Sequence, residues 1–241
     1  MEIKEVLRRA FKYGEIADIK RMRYEPYKME VALDAIRIIG TSITPKFVID
    51  NENQWVFEQL VKWMHGDESM MAIDPATGGQ IQGRLRSGIY LGGNTGSGKS
   101  LALQIMSIYR NIDNIQIRIN GEMCCLRFKP YRVDEICDIY AKTGDISKFK
   151  KMPILCVQDF GSEAKETLYM GNRINVMQQI IESRGDRGDL VTLLSSNLPL
   201  THQLLMEKYG GRVVSRLTEM CNYIELKGID RRKQLNPQTT K

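Results

Sequence analysis

The chain reads as an α/β protein built on a largely parallel sheet with helices on both faces. Three observations carry that expectation. From Ser87 onward short apolar runs alternate with helical patterns; the glycine-rich turn "GNTGSGKS" lies between one such run and a helix; and the run "MPILCVQDFGSE" is a short buried strand that surfaces into polar residues.

The elements follow in order. Ile3, Val6, Leu7, Ala10 and Phe11 recur at helical spacing, so the first dozen residues read as an amphipathic helix that Gly14 interrupts. A second helix places Ala32, Leu33 and Ile36 on the face of Met29, and a third runs from Asn53 to His65 with Val56, Leu60 and Met64 aligned. Between them "GTSITPKFVID" reads as a boundary loop with a short extended piece. The turn-rich "GDESMMAIDPATGGQIQG" is an excursion before the core sheet begins. "SGIYLGG", "NIQIRI", "MCCLRF", "PILCVQD", "LVTLLSSN" and "NYIEL" read as strands. "KSLALQIMSIYR", "VDEICDIYAKTG" and "INVMQQIIESRG" read as helices, and "THQLLMEKYGGRVVSRLTEM" as one helix or two. There is no internal repeat and no low-complexity tract.

Composition narrows the function classes. With 241 residues the chain suffices for one sizeable domain plus a small appended segment. Its 42% hydrophobic and 27% charged residues are ordinary for a globular protein, and no apolar run approaches bilayer length. The N-terminus lacks the apolar core of a secretory signal, so a cytoplasmic location without membrane insertion is expected. Five cysteines, Cys124, Cys125, Cys137, Cys156 and Cys221, and only two histidines indicate neither a disulfide framework nor a zinc site. A net charge of +6 suits contact with a polyanion.

"GNTGSGKS" fits G-x-x-x-x-G-K-[ST] in the strand-to-helix context of a P-loop. Gly93, Gly96 and Gly98 let the backbone turn its N–H groups toward phosphate oxygens, with Asn94, Thr95 and Ser97 completing the cradle. Lys99 then meets the β- and γ-phosphates of ATP, and Ser100 ligates Mg2+. A second strand must present an acid to that ion, and "PILCVQD" is the apolar run downstream that ends in a carboxylate, Asp159. "TLLSSN" ends in Asn197, an amide able to hold the attacking water or the γ-phosphate, or simply to cap the following turn.

Taken together and in this order, "GNTGSGKS", "ILCVQDFG", "LLSSN", "GGRVVSRL" and "IELKGIDRR" resemble the DnaC/IstB-type branch of AAA+ ATPases, which includes bacterial replicative helicase loaders and transposition helper ATPases. The resemblance spans Phe47 to Arg232. It implies a P-loop NTPase of AAA+ type that hydrolyses ATP as a homo-oligomer, with Asn197 at the sensor I position, Arg216 at the arginine finger, Arg212 one turn before it, and Arg232 near sensor II. It also implies a partner, a replicative helicase together with single-stranded DNA, or, for an IstB-like helper, a transposase on double-stranded DNA. A metabolic P-loop kinase is disfavoured, because "SSN" and "VVSRL" suit an oligomeric ATPase.

The family's strand usually ends in two acids, an apolar residue and glycine. Aligning on "FG" puts Gln158 at the magnesium acid and Asp159 at the hydrolytic acid, so the metal candidates are Ser100, Gln158 and Asp159. Turnover is then expected to be slow, and Gln158→Asp to speed it. Glu163, four residues on, is a surface acid or a second charge for the site. The "GIDRR" ending also departs from the family's small-aromatic-Arg pattern. The expected organisation is an N-terminal helical partner-binding segment over residues 1–43, an ATP-binding domain over 44–232 and a polar tail over 233–241.

Overall fold

The computed structural model describes residues 19–20, 27–112, 115–119, 122–228 and 230–231. The helix expected in the first dozen residues, Arg232 and the polar tail lie outside them. Five strands form a parallel sheet, β4 (Gly88–Gly92), β7 (Pro130–Arg132), β8 (Ile154–Gln158), β11 (Val191–Ser196) and β12 (Cys221–Glu225), in the order β12-β4-β11-β8-β7. The register sets Leu193 beside Ile89 and Cys156, and Tyr223 beside Tyr90.

Every residue of β4, β8 and β11 is buried, as a sheet covered on both faces requires. Alternation along the strands sorts the side chains. Ile89, Leu91, Cys156 and Leu193 join a core with helices α1 (Met29–Ile43), α2 (Gln54–His65) and α3 (Lys99–Tyr109). Tyr90, Leu155, Val157 and Leu194 point the other way, onto α4 (Val133–Thr143), α6 (Val176–Gly185) and α7 (Gln203–Met220). The short α5 (Ser147–Lys151) contributes Phe149 to that second core. Helix α1 buries Ala32 and Ile36 in the first core and exposes Val31 and Ile38 on its outer side.

Several elements differ from expectation. "NIQIRI" and "MCCLRF" do form strands, β5 (Gln116–Ile119) and β6 (Glu122–Cys125), but they pair antiparallel, with β5 also meeting β1 (Ile19–Lys20), outside the main sheet. The fifth parallel strand is β7, three residues long and opening with Pro130. A proline is tolerated there because β7 is an edge strand, and proline in an apolar run otherwise argues against a strand. The turn-rich excursion holds a hairpin, β2 (Met71–Ile73) with β3 (Gln80–Gln82). A second hairpin, β9 (Thr167–Tyr169) with β10 (Asn172–Ile174), follows β8. Helix α7 is two helical pieces broken at Gly210, whose φ of 80° and ψ of 160° no helix contains. Asn175 starts α6 by accepting a hydrogen bond from the Gln178 N–H at 3.0 Å. No helix among the described residues is long and apolar enough to cross a membrane.

Candidate nucleotide-binding site

The interior strand β4 delivers residues 93–98 to the C-terminal edge of the sheet, and α3 begins at Lys99. Gly93, Gly96 and Gly98 all hold positive φ, at 147°, 79° and 101°, so the tight turn depends on them. A side chain at Gly93 would also meet the Leu226 carbonyl, and one at Gly96 the Asp230 carboxylate. Buried Lys99 lies along the loop, its Nζ donating to the carbonyls of Gly93 at 2.8 Å and Asn94 at 2.6 Å. The amide ends of α3 and the lysine together make an anion cradle.

Ser100 sits one residue into α3 and its hydroxyl donates to Asp159 Oδ1 at 3.2 Å. The sequence separates these residues widely; the adjacent placement of α3 and the end of β8 brings them together. Gln158, only 5% exposed, turns instead toward the backbone, donating from Nε2 to the Ser100 carbonyl at 2.9 Å. Asp159 is held in the left-handed region at φ 60°, with its N–H donating to Ser195 Oγ at 3.2 Å. Arg132, at the end of β7, approaches Asp159 Oδ2 at 3.7 Å and is itself held by Asp134. Asn197 is exposed at the end of β11 and, with Asp159, Gly161 and Lys208, lines a cavity of about 480 Å³. A hydroxyl and one carboxylate 3.2 Å apart suit an ion that keeps several waters and takes its other oxygens from phosphates. Among the described residues no group of three or more acidic, cysteine or histidine side chains forms a metal cluster of its own.

The remaining candidates are placed elsewhere. The Glu163 side chain is buried rather than at the surface: its carboxylate accepts from the Gly161 N–H at 3.0 Å and from the Tyr209 hydroxyl, and pairs with Lys208 at 3.5 Å. Burial, then this carboxylate, pushes the Tyr209 phenol far above its ordinary range. Arg216 lies over Gly185 and pairs with Asp186, at the C-terminal end of α6. That end sits by the start of the strands, because Arg184 donates to the carbonyls of Met152 and Val191 there. Crossing the six residues of β11 at roughly 3.3 Å each separates Arg216 from Asn197 by nearly the whole sheet. Arg212 is exposed one turn earlier.

Sequence reading missed four participants: the amide tie of Gln158, Arg132, Asp186 and Arg231. Arg132 is hidden because it ends β7, a strand with no sequence pattern of its own, and nothing in "SRGD" separates Asp186 from a turn residue. Arg231 forms a two-pronged pair with Asp50, both contacts 2.8 Å, and its backbone N–H donates to the Gly96 carbonyl at 3.1 Å. The hydrogen bonds from Arg231 hold the Asp50 carboxyl below its usual range. The segment after β12 is thereby fastened across the phosphate loop.

A five-stranded parallel sheet in this order, with its loop after an interior strand and its acid two strands away, defines a P-loop NTPase of AAA+ type. No protein-family model matches the sequence, and no curated protein does. Among solved structures the chain is similar to a Streptococcus pyogenes serotype M3 protein proposed to be a primosome component, at 19% identity and a TM-score of 0.51, covering 77% of this chain and 85% of that one. The DnaC helicase loader aligns at 16% identity and a TM-score of 0.45, over 77% of this chain and 96% of the other. The first likeness is one of fold.

Proposed function

We propose that this chain is an ATP-dependent assembly factor of the helicase-loader kind, acting with a replicative helicase and single-stranded DNA during DNA replication. The observation that carries the nucleotide chemistry is the Ser100–Asp159 pair beside the P-loop lysine. When bound, Mg2+ neutralises the phosphate charge and orients the triphosphate. With the nucleotide and ion bound, Lys99 would turn from its loop carbonyls to the phosphates, Ser100 and Asp159 would hold the ion, and Asn197 would orient the attacking water. In this reading Asp159 takes the magnesium post and Gln158 braces the start of α3.

Glu163, the acid four residues on, is committed to Lys208 and Tyr209 and does not serve as a second catalytic carboxylate. Slow hydrolysis follows, and with it an ATP-bound assembly that persists as a switch. The position of Arg216 supports an oligomer: lying a sheet's length from its own Asp159, it serves a neighbour's γ-phosphate rather than its own. The proposed primosome role of the Streptococcus pyogenes relative in fold favours a helicase partner. The outer side of α1, with the N-terminal segment, is the partner-binding part.

The test is size measurement with and without ATP and single-stranded DNA, followed by partner capture. Growth of the particle with both ligands and recovery of a hexameric helicase are expected. Recovery of a transposase in its place, or a monomer under every condition, overturns the reading.

A further inference from the structure

Among the described residues only two that are not glycine hold positive φ, Asp159 and Met170. Asp159 belongs to the nucleotide site. Met170, at φ 44°, is followed by Gly171 at φ 85°, and these two residues alone connect β9 to β10, with Tyr169 and Asn172 paired at the turn's base. Such a turn favours Asn, Asp or Gly at its first central position, because a short polar side chain tolerates the left-handed conformation and a long apolar one gains nothing from it. Burial does not offset the strain either, for Met170 is 88% exposed. Local strain combined with an exposed large apolar side chain marks a position kept for contact with something else.

The rest of the hairpin says what. Its inner face is fixed: Tyr169 packs on Tyr140 of α4 with ring centres 5.9 Å apart, and it covers Gly144. On its outer face Leu168 and Arg173 are cross-strand partners, both exposed, with Leu168 at 52%. Two apolar side chains beside a guanidinium are far too small for a stable protein interface, which needs about 800 Å² from each partner. Leu and Met side chains are among those that lie against unstacked bases, and the guanidinium beside them can meet a backbone phosphate.

We infer that the β9–β10 hairpin is a contact for single-stranded nucleic acid, in which Met170 and Leu168 lie against unpaired bases and Arg173 meets a backbone phosphate. This rests on the single-stranded DNA contact in the proposed function and locates it. The experiment measures binding of fluorescein-labelled oligothymidylate by anisotropy, with Mg-ATP, together with thermal stability. Met170→Asn suits the turn better, so it should bind about fivefold or more weakly while melting at or above the wild-type temperature. A contact whose only role is structural would not give that opposed pair of changes. Arg173→Gln should weaken binding and reduce the salt slope by about 0.7. If wild type binds and Met170→Asn binds equally well, the inference falls and the nucleic-acid reading stands. If wild type binds no oligonucleotide, both fall. If Met170→Asn keeps oligonucleotide binding yet loses a hexameric helicase, the hairpin is a protein contact and the inference is overturned.

Discussion

At the scale of single residues, Gln158 shows how a strand-end side chain can brace the neighbouring helix. Its amide donates to the Ser100 carbonyl from a buried position, and a carboxylate there could accept but not donate. Gln158→Asp is therefore expected to hydrolyse ATP no faster than wild type and to lose about 1–3 kcal/mol of stability, the cost of a buried unpaired polar group. Turnover assays and denaturant unfolding read the two effects; faster hydrolysis in a normally folded variant would return Gln158 to the metal post. Asp159→Asn, by contrast, should retain ATP and lose hydrolysis. The P-loop was legible because glycine spacing and lysine leave few alternatives. Gln158's role was not, because a strand-end residue can face the ion or the neighbouring helix, and the sequence does not record which. Asp186 poses the same difficulty. Its pair with Arg216 is half exposed and worth at most about 1 kcal/mol, so it cannot lock the arginine; it can aim it. Asp186→Asn should lower the turnover rate of the assembled protein severalfold while leaving nucleotide affinity unchanged.

Among the elements, the joint between α6 and the sheet has the highest stakes. Arg184 is fully buried and donates to Thr192 Oγ1 and to the carbonyls of Phe149, Met152 and Val191, with no carboxylate among these partners. Burial lowers its pKa to about 10, still protonated at neutral pH. Arg184→Met should cost about 3–5 kcal/mol, because several buried acceptors lose their donor at once. A loss below about 1 kcal/mol in chemical denaturation would show that water replaces the guanidinium. Helix periodicity and the fully buried strands β4, β8 and β11 were readable, since a stripe or an unbroken run has one physical use. Strand β7 was not: three residues beginning with proline carry no pattern, and only the partner β8 makes them a strand. Likewise β5 and β6 read correctly as strands, but periodicity does not say which sheet a strand joins.

For the molecule as a whole, the proposed function makes catalysis a property of pairs of subunits, because Arg216 lies a sheet's length from its own phosphate loop. Arg216→Ala should bind ATP normally and hydrolyse it poorly, while Lys99→Ala should fail to bind. Mixed in one assembly, the two should recover part of the lost turnover, since each interface can combine an intact loop with an intact arginine. No recovery in assemblies shown to contain both variants would place the arginine's role within one subunit. The strand order has a different consequence, one of timing. Strand β4 lies inside the sheet, yet its neighbours β11 and β12 are the last two strands among the described residues. During synthesis at roughly 5–20 residues per second, β4 emerges many seconds before either neighbour exists, as an apolar strand with both edges unpaired. The phosphate loop it carries cannot acquire its native support until β11 and β12 have been made, so nascent chains released before Cys221 should be protease-sensitive and indifferent to ATP.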